Sequence, residues 1–179
     1  AMRDIILPTV RGMKADGHSY TGFLYAGLMI DKQGNPYTIE FNCRFGDPET
    51  QPVMLRLQSS LVLLVEAALA QALDKVEAQW DPRPSVGIVL AAGGYPGDYQ
   101  KGFPITGIEL VTKETKTTLF QAGTGFKEDA IVTNGGRVLT ITAQGNTISE
   151  AVDTSKKALA LIQFEGMNFR TDIGYEFKA

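Results

Sequence analysis

A single cysteine, Cys43, cannot form an internal disulfide, so the fold must hold by packing alone, and a reducing, cytoplasmic setting fits best. No run of about 18 consecutive apolar residues occurs, which leaves no candidate for a membrane span. The amino terminus lacks the basic region, apolar core and small-residue cleavage site of a secretory signal. Long runs of Lys or Arg are missing as well, and the formal net charge is −3. Neither nucleic acid nor a membrane surface is an electrostatically supported partner. The only histidine, His18, sits between Gly17 and Ser19, where a solvated loop suits it better than a role as catalytic base. Ser60 and Ser85 have no histidine partner in any motif, so triad chemistry has no support.

What is present is an ordinary globular composition. Of 179 residues, 44% are hydrophobic and 21% charged, enough interior for one large domain or two small ones. Met2, Ile5, Ile6, Val10 and Met13 recur at helical spacing, and Gly17 can end that helix. Only Asp4 could cap its start, so the chain is expected to begin inside a longer element. Tyr20 to Asp31 and Tyr37 to Arg44 read as strands joined across a Gly34-Asn35-Pro36 turn. Asp47-Pro48 has the form of an N-cap followed by proline in the first turn, opening a short helix to about Leu57. Ser59 or Ser60 caps a second, nearly all-apolar helix, Leu61 to about Leu73, expected to be buried. Trp80-Asp81-Pro82-Arg83-Pro84 is the best linker candidate, with Trp80 anchoring it to a core.

Beyond it the texture changes. Ser85 to Ala92 is an apolar strand running into the glycine-rich loop Gly93-Gly94-Tyr95-Pro96-Gly97. That loop could offer backbone N–H groups to a phosphate or could simply connect elements. Ile105 to Thr112, Thr117 to Gln121, Ala130 to Thr133 and Arg137 to Ala143 are expected strands, the last pair joined by a tight turn at Asn134-Gly135. Thr147 and Glu150 make a capping box for a helix from Ile148 to about Gln163, with Ile148, Val152, Leu159 and Ile162 on its apolar face.

The chemically informative stretch is Thr38-Ile39-Glu40-Phe41-Asn42-Cys43-Arg44. Side chains alternate across a strand, so Thr38, Glu40, Asn42 and Arg44 share one face, while Ile39, Phe41 and Cys43 share the other and should be buried. Same-face neighbours lie roughly 6.5–7 Å apart, a gap that one divalent ion can bridge between a carboxylate and an amide oxygen. Magnesium takes such oxygen ligands together with phosphate oxygens and water. Arg44 follows with a planar, permanent charge suited to phosphate or carboxylate. The plainer alternative is a solvated polar face of a hairpin. Asp47 and Glu49, in the loop that follows, could hold an amine; equally, Asp47 could be a helix cap and Glu49 a first-turn acid favoured by the helix dipole.

The runs Tyr25-Ala26-Gly27-Leu28-Met29 and Ile39-Glu40-Phe41-Asn42-Cys43-Arg44-Phe45-Gly46-Asp47-Pro48-Glu49 closely resemble the glycinamide ribonucleotide synthetases, the phosphoribosylamine–glycine ligases of the ATP-grasp superfamily. Ala91-Ala92-Gly93-Gly94-Tyr95-Pro96-Gly97-Asp98-Tyr99 and Thr133-Asn134-Gly135-Gly136-Arg137-Val138 resemble the carboxy-terminal domain of the same family. The resemblance covers nearly the whole chain.

It implies an α+β fold: residues 1–82 as the carboxy-terminal half of an ATP-grasp domain, and 83–179 as a small β-rich domain with a helix, similar to that of biotin carboxylase-type enzymes. It implies a ligase of purine synthesis that joins glycine to 5-phosphoribosylamine through glycyl phosphate, with ATP as co-substrate and Mg²⁺ or Mn²⁺ as metal. The full-length enzyme would be a cytoplasmic monomer acting on small molecules. Residue by residue, Glu40 and Asn42 match metal ligands, and Arg44 matches a catalytic residue near the transferred phosphate and the glycine carboxylate. Asp47 and Glu49 match the acidic substrate loop. The parts of the family's chain that hold the lid and most nucleotide contacts have no counterpart here, so the polypeptide is expected to be a fragment without activity of its own. Two other readings remain open: another ATP-grasp ligase of purine synthesis or carboxylation, and a non-catalytic nucleotide-binding module.

Overall fold

The computed structural model describes residues 1–177, with side chains at all of them except Glu114. Contacts divide the chain into two units, Ala1–Asp47 with Gln58–Gln79, and Pro48–Leu57 with Trp80–Ala179.

In the first unit a π-helical turn, Met2–Ile6, runs into helix α1, Leu7–Ala15, which has proline at its start. The helix ends as expected at Gly17: its φ of +84° is open to glycine, and it lets the His18 N–H donate to the Met13 carbonyl at 2.8 Å. Strands β1 (Tyr25–Ile30) and β2 (Pro36–Asn42) form an antiparallel pair. Asp31 organises their turn by accepting from the Gln33 and Asn35 N–H groups and from the Asn35 side chain. Those bonds, led by the Asn35 side chain, hold its carboxyl below the usual range. Helix α3 (Leu61–Leu69) completes this unit, capped by Ser60 Oγ, which accepts from the Leu63 N–H, while α2 (Thr50–Arg56), which precedes it in sequence, belongs to the second unit.

Two expectations about burial fail in this unit. Ile39 is 65% exposed and Phe41 42%, and Cys43 is exposed too. Helix α3 is not a core helix either: Val62 and Leu63 are exposed, and Leu69 is 72% exposed. Alternation identifies which face of a strand is apolar, but burying that face takes a second layer. Among the described residues no layer covers these side chains, and every member of the buried hydrophobic core belongs to the second unit.

That second unit is built on the antiparallel sheet β3–β7–β4, comprising Ser85–Ala91, Arg137–Gln144 and Thr117–Gln121. The registers Ile88↔Ile141 and Leu119↔Ile141 line up one apolar face. Helix α5 (Ile148–Leu159) contributes Ala158 and Leu159 to the core cluster on that face, joined by Ile162 just beyond its end. The capping pair works as expected, since Thr147 Oγ1 accepts from the Glu150 N–H, although Glu150 Oε2 returns to the Asn146 N–H. The opposite face carries Gly87, Thr140, Thr142 and Gln144 and meets α2. A Cβ on Gly87 would lie 3.4 Å from Pro52, and Ser85 Oγ donates to the Pro52 carbonyl at 2.6 Å.

Several elements differ from expectation. Helix α2 begins two residues late, with residues 47–49 in a turn and Glu49 at the N-cap position. The strand expected over Ile105 to Thr112 is instead two isolated bridges followed by helix α4, Ile108–Glu114. Gly107 makes the break: its φ is +87°, and a Cβ there would sit 1.8 Å from the Leu161 carbonyl oxygen. An unexpected strand, β5 (Thr124–Lys127), pairs with β6 (Ala130–Thr133) across Glu128 and Asp129, both at positive φ. Asn134-Gly135 is therefore no hairpin turn: β6 and β7 belong to different sheets. Gly135 is needed because its backbone abuts Gly123, and Gly136 because a Cβ would enter the Tyr95 ring. Trp80 is exposed and bridges to Leu57, so it anchors through backbone rather than a core. Asp81, 8% exposed, pins the segment after it by binding the Arg83 guanidinium through both oxygens and accepting from the Arg83 N–H.

Ile141→Ala, at a fully buried position (0% exposed), should cost about 2–5 kcal/mol in urea denaturation, whereas Ile39→Ala should stay within about 0.5 kcal/mol of the parent. Hydrogen bonds and charge from Arg83 hold the Asp81 carboxyl far below its ordinary value of 3.8. A depressed folded-state pKa contributes stability above the unfolded-state value and loses it as pH falls. Asp81→Asn should thus lower the thermal midpoint at neutral pH, and the gap to the parent should close progressively below about pH 4.

Candidate functional site

Strand β2 and the loop after it carry the residues singled out above. Tyr25↔Asn42 and Gly27↔Glu40 stand directly opposite each other in the β1–β2 ladder. Between Gly27 and Leu28 the register shifts, Thr38 pairing with Leu28 and Ile39 being the extra residue of a bulge. The continuous face expected across Thr38, Glu40, Asn42 and Arg44 therefore shortens to Glu40 and Asn42, because the bulge interrupts it on one side and the strand ends at Asn42 on the other.

Those two side chains do project together: Asn42 Nδ2 donates to Glu40 Oε1 at 3.0 Å. Glu40 is exposed and Asn42 half-buried. The arrangement depends on a residue that strand alternation did not single out. A Cβ at Gly27 would lie 3.0 Å from Glu40 Cγ, so glycine beneath the acid leaves its side chain room to lie toward Asn42. The signal was available, since a glycine inside a strand pattern marks a bulge or a close approach.

Arg44 is exposed, and its Nη1 donates to the Phe45 carbonyl at 2.9 Å; among the described residues it forms no ion pair. The loop is held by Phe45, whose ring packs against Phe23 with centroids 4.5 Å apart, and Gly46 beside it is buried. Asp47 closes the first unit and Glu49 lies in the second; both are exposed. The structure thus joins Glu40 to Asn42 directly and places Arg44 in the adjoining loop.

The donor chemistry suits a hard cation. Rotation of the Asn42 amide about its terminal torsion exchanges nitrogen for oxygen, after which the pair offers a carboxylate and a carbonyl-type oxygen. Magnesium and manganese accept such donors and fill the rest of their shell from phosphate and water. Among the described residues no cluster of three or more His, Cys, Asp or Glu surrounds the pair, so a metal held here would take its remaining ligands from outside the pair.

Comparison with known proteins gives a consistent picture. Residues 85–176 match the family model described as phosphoribosylglycinamide synthetase, C domain, and residues 1–50 match phosphoribosylglycinamide synthetase, ATP-grasp (A) domain. Phosphoribosylamine–glycine ligase of Pseudomonas syringae pv. tomato is 65% identical over 171 residues, covering 96% of this chain and 39% of the relative. The Escherichia coli protein of the same name is 54% identical over 175 residues, covering 97% and 41%. The chain thus spans about 40% of the length of the curated relatives it matches. The crystal structure of phosphoribosylamine–glycine ligase from Thermotoga maritima superposes with a TM-score of 0.76 at 36% identity, over 90% of this chain and 39% of that one. The fold alone is shared with urea carboxylase of Kluyveromyces lactis, at a TM-score of 0.56 and 16% identity, over 84% of this chain and 13% of the other.

Gly27→Ala should push the Glu40 side chain off Asn42 while leaving the strand pair intact. The Asn42 side-chain amide resonances should move in NMR spectra with no change in far-ultraviolet circular dichroism; unmoved resonances would show that Glu40 has room to give way.

Proposed function

The chain belongs to the phosphoribosylglycinamide synthetase family, and on that premise we propose that it is the carboxy-terminal portion of a ligase that joins glycine to 5-phosphoribosylamine at the expense of ATP. In this reading residues 1–82 are the carboxy-terminal half of an ATP-grasp domain and residues 83–179 the carboxy-terminal domain of the synthetase. The glycine carboxylate attacks the γ-phosphorus of ATP, breaking its bond to the bridging oxygen and releasing ADP, to give glycyl phosphate. The amine of phosphoribosylamine then attacks the acyl carbon and expels phosphate, forming the amide of glycinamide ribonucleotide.

The observation that carries the reading is the hydrogen-bonded Glu40–Asn42 pair on one strand, followed at once by the Arg44 loop. Phosphoryl transfer asks a protein mainly for positioning and charge stabilisation. Glu40 and Asn42 would hold Mg²⁺ or Mn²⁺, which when bound neutralises charge on the nucleotide phosphates. Arg44 would turn its guanidinium from the Phe45 carbonyl toward the glycine carboxylate and the phosphoryl oxygens, a planar fork matched to both. Asp47 and Glu49 would orient the substrate amines as hydrogen-bond acceptors. The setting would be the cytoplasm, with no nucleic acid or membrane involved and the full-length enzyme a monomer.

The polypeptide by itself is proposed not to complete the reaction. Support comes from its coverage of about 40% of its relatives' length and from the apolar faces of β2 and α3 exposed in the first unit. A steady-state assay with Mg-ATP, glycine and 5-phosphoribosylamine should give no turnover from this chain alone. Turnover should appear when the remaining amino-terminal part of a relative is supplied as a second polypeptide. In that mixture Glu40→Gln and Arg44→Ala should each lower the rate by about 10²–10³-fold. Ligase-level activity from the chain alone would overturn the fragment reading, and a mixture indifferent to both substitutions would overturn the assigned roles.

A further inference from the structure

Near the end of β7, the start of β4 and the amino end of α5 lies a cavity of about 390 Å³, wholly within the second unit. That volume falls in the range of small-molecule sites. Its wall includes Thr118, Thr142 and Gln144, with Arg83, Lys116 and Glu150 among the charged residues around it.

One wall residue carries a buried polar atom with no hydrogen-bond partner: Thr142 Oγ1, on a residue with 0% exposure. Each unmatched donor or acceptor costs folding free energy, and native proteins keep few of them. A fully buried hydroxyl left open on the wall of a cavity points to an occupant that supplies a polar atom.

The wall indicates what kind. Gln144 is engaged at both ends, its Oε1 accepting from Arg83 Nη2 at 3.4 Å and its N–H side turned to the Asp81 carboxylate. Arg83 and Lys116 can only donate. The twelve-residue helix α5 begins at this end, adding the partial positive charge of its amino terminus. Among the described residues the one acid of the wall is Glu150, whose Oε2 is engaged by the Asn146 N–H at 2.8 Å. Asp81 balances Arg83 without entering the wall. A wall that mainly donates fits an occupant that mainly accepts.

We propose that this cavity binds a compact oxyanion, phosphate or the phosphate of a small phosphomonoester, held by Thr142 Oγ1 and Lys116 at the amino end of α5. The site uses none of Glu40, Asn42, Arg44, Asp47 and Glu49 and stands independently of the ligase reading.

The test is an NMR titration of the whole chain with inorganic phosphate and, in a separate arm, with ribose 5-phosphate. Saturable shifts are expected at Thr142, the Gln144 side-chain amide and Asn146, and the tighter arm identifies the source of the anion. Thr142→Val, which keeps the shape and removes an unpaired hydroxyl, should weaken binding about tenfold. Lys116→Ala, at an exposed position, should weaken it less and reduce its salt dependence, and it serves if the valine variant fails to fold. The proposal is overturned if neither probe gives saturable shifts at these residues at about 10 mM, or if the folded variants bind as the parent does.

Discussion

Strand β7 is buried from Val138 to Ala143, and its two faces are satisfied by different chemistry. Leu139 and Ile141 join Ile88, Leu90 and the α5 residues in the hydrophobic core. On the other face Thr140, Thr142 and Gln144 lie under α2, with Gly87 letting Pro52 approach the sheet. Burial of the first face is rewarded by the hydrophobic effect. The second gains only as far as its hydroxyls and amides find partners. Ser85, bonded to the Pro52 carbonyl, meets that requirement, while Thr142 leaves it open. The second unit thus has a conventional interior on one side of its central strand and a polar, incompletely matched one on the other.

Local chemistry was what the sequence made legible. The caps at Ser60 and Thr147, the glycine stop after α1 and the Asn35-centred turn each depend on a few neighbouring residues, and each formed where expected. The misjudged elements depend on distant partners. Ile105 to Thr112 has strand composition, but Gly107 must face the Leu161 carbonyl, a contact invisible along the chain. The short strand β5 is polar enough to read as loop and exists because β6 folds back across two residues at positive φ. Asn134-Gly135 has hairpin chemistry, yet close packing against Gly123 is what calls for glycine there.

The error over Ile39, Phe41 and Cys43 is of another kind. Their apolar character correctly marks a face unsuited to water, but periodicity carries no information about whether a covering layer exists. The same holds for α3, whose nearly continuous apolar run reads as buried and is largely exposed. In the second unit, where covering elements are present in the same chain, apolar positions such as Ile88, Leu119 and Ile141 met the partners that their pattern implied.

The candidate site was legible in part for a related reason. Alternation brings Glu40 and Asn42 to one side over a span too short for the bulge to disturb, whereas the longer face through Thr38 and Arg44 assumed a regularity the ladder does not keep. A site reduced to one carboxylate and one amide has a consequence for the function proposed above. In that reading two donors from this chain would leave most of an octahedral shell to phosphate, water and the parts of the ligase outside this chain. Gly27 fits the same logic, since the room it leaves for the Glu40 side chain would let the acid turn between its amide neighbour and an ion without moving the backbone.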